Sequence, residues 1–142
     1  MTGEIKLVLR KDSRTEGDTF YVEIVQARKI TYKFKVTDHL PDLYVKAYLI
    51  VGNKRISKKK TRICKHDLEP TFSETFQYNT NVKGLALQIM LWADGGRFGR
   101  NLLIGEALVW LDTVNFTQGA VDGWYKLFLS PLSPSKSTVR TP

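Results

Sequence analysis

The stretch LALQIMLWADGGRFGRNLLIGEALVWL, residues 85–111, decides the fold class of this chain. Its first eight residues place an apolar side chain at every second position: Leu85, Leu87, Ile89 and Leu91. That two-residue period is typical of a β-strand with one buried face. Its last ten residues are mostly apolar, but they are too few to cross a membrane, and Gly105 inside them favours a strand over a helix. The stretch therefore predicts two strands joined by the glycine-rich loop ADGGRFGRN.

Short runs of the same kind recur along the rest of the chain, separated by turn signals. They are EIKLVLR (4–10), TFYVEIVQA (19–27), LYVKAYLIV (43–51), KKKTRIC (58–64), FSETFQY (72–78) and GWYKLF (123–128). DTVNF (112–116) predicts a single helical turn, and no long segment has the 3.6-residue period of a helix. Eight short strands at regular spacing predict an antiparallel β-sandwich.

A single domain, residues 1–128, is expected from a length of 142 residues and a hydrophobic fraction of 42%. The remainder, residues 129–142, is rich in Ser, Thr and Pro, so we interpret it as a linker or disordered end. Cys64 is the one cysteine, which excludes a disulfide framework. No apolar run approaches a membrane span, and the N-terminus lacks an apolar signal region. We therefore expect a cytoplasmic domain that meets a membrane only at its surface.

The net charge of +8 would attract nucleic acid, lipid headgroups or an acidic protein surface, unless it serves solubility alone. No nucleic acid partner is expected, because zinc-finger spacing, a helix-turn-helix and a stacking-aromatic motif are all missing. An enzyme is disfavoured as well. His39 and His66 are the only histidines, and neither has a partner at a catalytic spacing. No cofactor is expected.

Four motifs in unbroken order carry a resemblance to a known family. They are PDLYVKAYL (41–49), SKKKTRICKHDLEPTFSETFQY (57–78), LQIMLWADGGRFGRNLLIGEA (87–107) and GWYKLF (123–128). Together they resemble the C2 domains. Within that family the chain looks most like the second C2 domain of RIM-type presynaptic active-zone scaffolds, with Piccolo-like scaffolds close. The resemblance implies an eight-stranded antiparallel C2 β-sandwich of synaptotagmin-like topology, on the presynaptic plasma membrane, in a scaffold of vesicle exocytosis.

Calcium binding is not expected, although many C2 domains bind Ca²⁺ through several acidic side chains in two loops. Asp42 matches the motif, but Val36 stands where a second aspartate is wanted, and Asp38 is out of register. In the other loop only Asp94 is acidic, whereas Ca²⁺ takes six to eight oxygen ligands. Four cations in these loops would repel the ion: Lys33, Lys35, Arg97 and Arg100. We interpret Asp42 and Asp94 as turn-capping residues of a degenerate, metal-free site.

The basic run in KKKTRIC predicts one cationic face of a sheet. Alternate side chains of a strand share a face, so Lys58, Lys60 and Arg62 point one way while Lys59 points the other. In the preceding strand, LYVKAYLIV, the apolar alternate positions should line the core. Three residues then face outward beside the lysines: Tyr44, Lys46 and Tyr48. The alternatives are a plain solvated face and a nuclear localisation signal, which a folded strand would hide.

The C2 resemblance points to the same face, because several members bind phosphatidylinositol 4,5-bisphosphate at a lysine-rich cluster there. Carried over by position, that cluster falls on Tyr44, Lys46, Lys58, Lys60 and Trp92. Lysine ammonium groups are strong point charges toward phosphate. We therefore expect a calcium-independent module that binds this lipid or other anionic lipid. The alternative is a module that binds other active-zone proteins.

The loop tip GGRFGR offers a second membrane contact. Phe98 lies between Arg97 and Arg100, with three glycines around it. An exposed aromatic residue flanked by cations suits the membrane interface. The alternative is that Phe98 folds back onto the sandwich.

Overall fold

The chain forms two packed β-sheets. The computed structural model describes residues 1–12, 18–32, 40–97 and 99–129. Its strands are β1 (Gly3–Asp12), β2 (Thr19–Arg28), β3 (Leu43–Val51), β4 (Lys54–Lys60), β5 (Thr71–Tyr78), β6 (Ala86–Ala93), β7 (Leu102–Trp110) and β8 (Val121–Leu127). A 3₁₀ turn at Leu111–Thr113 overlaps the predicted helical turn. The predicted tail, from residue 130 onward, lies outside the described residues.

Each sheet has four antiparallel strands, which confirms the predicted sandwich. One sheet has the order β5-β2-β1-β8, and the other has the order β4-β3-β6-β7. Strand β1 pairs with β2 on one side and with β8 on the other, so the strand that precedes β2 lies inside its sheet. That position is the one expected for a synaptotagmin-like topology. Among the described residues, no helix has the length and apolar character that a membrane span requires.

The core lies between the sheets and is built from alternate residues, as the two-residue period predicted. Among the side chains that are no more than 1% exposed are Leu7, Leu9, Phe20, Val22, Ile24, Leu49, Leu87, Ile89 and Leu91. Burying an aliphatic side chain of this kind contributes about 1.5–3 kcal/mol. A one-residue slip of any strand would move such residues to the surface, so the core fixes which side chains face outward.

Strand β4 differs from the predicted strand at residues 58–64, because it begins at Lys54 and ends at Lys60. Beyond that end, Thr61 is 4% exposed, and its hydroxyl oxygen accepts a hydrogen bond from the Val45 N–H at 2.9 Å. The side chain thus takes the place of a backbone acceptor, and the regular pairing of β4 with β3 is interrupted there. The chain meets β3 once more at Cys64, which exchanges two backbone hydrogen bonds with Leu43.

Candidate functional site

The predicted lysines do share one outer face of the β4-β3-β6-β7 sheet. In the pairing of β3 with β4, Lys46 lies opposite Lys60 and Tyr48 lies opposite Lys58. In the pairing of β3 with β6, Tyr44 lies opposite Trp92. Directly opposed residues of an antiparallel pair point to the same face. Lys58 and Lys60 are exposed, and Lys46 is half-buried between them and the aromatic residues.

The two tyrosines of this face are covered rather than open. Tyr44 is 4% exposed, and its hydroxyl oxygen accepts a hydrogen bond from Asn101 Nδ2 at 2.9 Å. Burial, reinforced by the nearby Asp94 carboxylate, raises the pKa of the Tyr44 hydroxyl. Tyr48 is 7% exposed. Tyr44 therefore offers little surface for the direct lipid contact that the sequence suggested.

Trp92 presents its ring, not its indole N–H, to the lysines. The Lys46 ammonium lies 4.9 Å from the centre of the Trp92 ring, a cation–π distance. The Trp92 indole nitrogen is buried, with no hydrogen-bond partner among the described residues. The ring therefore holds Lys46 in place beside Lys60, where two like charges directly opposed on neighbouring strands would otherwise be unfavourable.

Arg55 joins this face, although the alternation in the sequence did not indicate it. The β3–β4 register shifts between Leu49, which pairs with Ser57, and Ile50, which pairs with Arg55. Ile56 is the extra residue of this β-bulge, and the shift turns Arg55 outward. The Arg55 guanidinium lies 3.8 Å from the centre of the Tyr48 ring and donates to Gln88 Oε1 at 3.0 Å. We call Lys46, Arg55, Lys58 and Lys60 the cationic face.

Arg62 was predicted to belong to the cationic face, but the structure directs its guanidinium elsewhere. Its Nη1 donates to the Phe72 carbonyl at 2.7 Å, and its Nη2 donates to the Thr71 carbonyl at 3.1 Å. Nη1 also lies 3.4 Å from a carboxylate oxygen of Glu74. Strand β4 has already ended, so the alternation that placed Arg62 beside Lys60 does not reach it. Arg62 ties the end of β4 to β5 of the other sheet.

Replacing Arg62 with alanine should therefore affect stability more than lipid binding. We expect Arg62→Ala to lower the free energy of unfolding by about 1 kcal/mol, since the lost hydrogen bonds are partly exposed. The melting temperature should fall by about 3 °C. Lys65→Ala is the matched control, because it removes the same charge from an exposed neighbouring position. An unchanged melting temperature with a loss of vesicle affinity equal to that of Lys58→Ala would contradict this assignment.

Lys59 lies on the opposite side of β4 from its neighbours, as the alternation predicted. It pairs with Ala47, a core residue, and its ammonium lies 5.3 Å from the centre of the Tyr78 ring. Its apolar stem thus covers the open edge between the two sheets while its charge stays near solvent. Lys59 adds little to the cationic face.

Hydrogen bonds between residues close in sequence stabilise the loop between β6 and β7. The Gly95 N–H donates to Asn101 Oδ1 at 3.0 Å, and the Gly99 N–H donates to the Gly95 carbonyl at 3.0 Å. Arg97 and Arg100, which were predicted to contact a membrane together with Phe98, are exposed. Phe98 lies outside the described residues.

Asp42 and Asp94 both act as caps in the loops where a calcium site was considered. Asp42 Oδ1 accepts the His66 N–H at 2.9 Å, and Asp94 Oδ2 accepts the Gly96 N–H at 3.1 Å. Within the described parts of the chain, no three His, Cys, Asp or Glu side chains form a metal-binding group. Val36 and Asp38, which also entered the calcium prediction, lie outside the described residues.

The sequence and the fold identify the family. Residues 18–127 match the C2 domain. The chain belongs to the C2 domain family. This C2 domain is 53% identical over 131 residues to protein piccolo of Mus musculus, a match covering 91% of this chain and 3% of piccolo. It is 36% identical over 107 residues to Regulating synaptic membrane exocytosis protein 3 of Mus musculus, covering 75% of this chain and 34% of that protein.

Solved structures of similar proteins have the same fold. The crystal structure of C2 domain A of RIM from Drosophila matches this C2 domain with a TM-score of 0.76 and 25% identity, over 90% of this chain and 99% of that one. The corresponding domain A of RIM2 matches with a TM-score of 0.71 and 26% identity, over 90% and 98%. The predicted resemblance to C2 domains of RIM-type and Piccolo-like scaffolds is confirmed.

Proposed function

We propose that this C2 domain is a binding module, not an enzyme, that holds a presynaptic scaffold of vesicle exocytosis against the cytoplasmic side of the plasma membrane. Its ligand is phosphatidylinositol 4,5-bisphosphate, together with other anionic lipid. The ligand contacts the cationic face, and Ca²⁺ is not required. The similarity to piccolo and to a protein named for synaptic membrane exocytosis supports the setting.

The observation that carries the proposal is the register of β3 with β4. It brings Lys46, Lys58 and Lys60 to one face, with Trp92 beneath the Lys46 ammonium. Opposed lysines repel each other in the free protein, so a bound phosphate relieves that repulsion as well as forming new contacts.

The expected strength of the electrostatic contact is modest. Each cation near an anionic leaflet contributes about 1 kcal/mol, so the four cations of the face contribute about 4 kcal/mol. That energy corresponds to a dissociation constant in the millimolar range. Direct contacts of the lysines with the two ring phosphates must supply the remainder. The domain should therefore prefer vesicles with the bisphosphorylated lipid over vesicles with the same charge in phosphatidylserine.

Calcium should change neither the stability nor the vesicle affinity of this C2 domain. Asp42 and Asp94 already accept backbone N–H groups, and two carboxylates are too few for a tight site. The test is cosedimentation with vesicles that contain or lack phosphatidylinositol 4,5-bisphosphate, with Ca²⁺ titrated to millimolar levels, beside a thermal melt. A saturable rise in melting temperature at micromolar Ca²⁺ would overturn the calcium-independent assignment.

The same cosedimentation experiment can also reject the proposal that the cationic face binds anionic lipid. Equal cosedimentation with neutral vesicles and with vesicles containing the bisphosphorylated lipid would reject it. The alternative, a module that binds other active-zone proteins, would then be favoured.

A further inference from the structure

The hairpin between β3 and β4 has two exposed aliphatic side chains at its tip. The strands are joined by a two-residue turn at Gly52 and Asn53, with Gly52 at a φ of +58°. Beside this turn, Val51 is 44% exposed and Ile56 is 47% exposed. Branched aliphatic residues that are this exposed are candidates for contact with a membrane or with another protein.

Ile56 is the extra residue of the β-bulge in β4. Because Ile50 pairs with Arg55 and Leu49 pairs with Ser57, Ile56 has no partner residue on β3. The extra residue of a bulge is left without a cross-strand partner. The bulge thus leaves Ile56 unpaired while Lys58 stays opposite Tyr48.

Cations surround the two aliphatic residues. Lys54 pairs with Val51 across the turn and is exposed, and Arg55 follows it on the outer face. Arg55 is held by the Tyr48 ring at 3.8 Å, by Gln88 Oε1 at 3.0 Å and by the Met90 sulfur at 3.7 Å. A guanidinium fixed in this way loses little freedom when it binds an anion. The tip is therefore amphipathic and continuous with the cationic face.

We infer that the β3–β4 hairpin tip, residues 51–56, is a second membrane contact of this domain. Arg55 and Lys54 bind headgroup oxygens of anionic lipid, and Val51 and Ile56 enter the interfacial layer of the bilayer. The inference rests on the proposed function, because the tip can reach the bilayer only when the cationic face does. It adds an apolar interaction that salt does not screen, whereas charges lose most of their attraction beyond about 10 Å at 0.1 M ionic strength.

The main test replaces both aliphatic residues by threonine. Val51→Thr/Ile56→Thr keeps the charge and the β-branching, so the hairpin should remain folded. We expect the affinity for vesicles of phosphatidylcholine, phosphatidylserine and phosphatidylinositol 4,5-bisphosphate to fall about tenfold, which is about 1.4 kcal/mol. The factor should be similar at low and high salt. Leu129→Thr, at a residue 53% exposed and far along the chain, is the matched control for Ile56→Thr and should not change the affinity.

Arg55→Ala tests the headgroup contact at the point where the tip adjoins the cationic face. It should lower vesicle affinity about fivefold at low salt, and the loss should shrink as salt rises. Gln88→Ala removes an anchor of Arg55 but no charge, so a smaller loss is expected. If Arg55→Ala has no effect although Lys58→Ala/Lys60→Ala does, the tip does not bind headgroups.

Soluble inositol 1,4,5-trisphosphate separates the tip from the proposed lipid site. The double threonine variant should bind it as the unmodified domain does, because this probe offers no bilayer. Loss of trisphosphate binding would show that the substitutions disturb the cationic face, and would overturn the inference. Unchanged vesicle affinity of the threonine variant, with Lys58→Ala/Lys60→Ala impaired, would also overturn it while leaving the proposed function intact. If both variants bind vesicles normally, both proposals fail.

Discussion

Lys58→Ala/Lys60→Ala should weaken the binding of vesicles containing phosphatidylinositol 4,5-bisphosphate about 30-fold. Each lysine contributes about 1 kcal/mol near an anionic leaflet, and about 2 kcal/mol corresponds to that factor. Both side chains are exposed and lie opposite Tyr48 and Lys46, so their removal deletes no core contact. The melting temperature should stay the same or rise slightly, because the repulsion between Lys46 and Lys60 is removed.

The control for this prediction is a second pair of exposed lysines away from the cationic face. Lys83 lies before β6, and Lys126 lies on β8 of the other sheet. Lys83→Ala/Lys126→Ala changes the net charge by the same amount. Cosedimentation and isothermal titration at two salt concentrations would compare the pairs. If the control pair loses as much affinity as Lys58→Ala/Lys60→Ala, binding depends on total charge and no localised site exists.

Thr61→Val should lower the free energy of unfolding by about 2 kcal/mol, within the range of about 1–3 kcal/mol for a buried donor left without a partner. The Thr61 hydroxyl accepts the Val45 N–H at 2.9 Å and donates to the Arg62 carbonyl at 2.9 Å. Valine has nearly the same shape but cannot accept, so the buried amide would lose its hydrogen bond. The melting temperature should fall by about 6 °C.

Serine at the same position separates the lost hydrogen bond from a change in packing. Thr61→Ser keeps the hydroxyl and should recover much of the stability. Hydrogen exchange of the Val45 amide should accelerate in Thr61→Val and less so in Thr61→Ser. If Thr61→Val has the same melting temperature as the unmodified domain, the Val45 amide has another acceptor or does not need one, and this prediction is wrong.

The β-sandwich could be predicted because the apolar residues of each strand repeat at a spacing that is visible within a few residues of sequence. Leu87, Ile89 and Leu91 repeat at two-residue spacing, and the observed β6 buries all three. The same reasoning placed Lys58 and Lys60 on one face and Lys59 on the other, as observed. Within a regular strand, side-chain direction follows from sequence spacing alone.

The reasoning was wrong where the backbone leaves that regularity. Arg62 lies beyond the end of β4, and the hydroxyl that interrupts the pairing with β3 belongs to Thr61, a residue that also fits a strand. Arg55 was missed because a bulge at Ile56 depends on how β3 and β4 pair. The burial of Tyr44 at 4% exposure depends on Asn101, which reaches it from a loop distant in sequence. Such tertiary contacts leave no periodic signal.

The bulge in β4 also suggests how this surface could diverge between related domains. If Ile56 were deleted, Arg55 and Ser57 would become adjacent, and the ladder with Ile50 and Leu49 would run without interruption. The arginine and both lysines would keep their orientation. A one-residue insertion or deletion at this point therefore adds or removes an aliphatic side chain while the charges stay aligned. Descendants of one gene could thus change how long the domain stays on a bilayer without changing which headgroup it recognises.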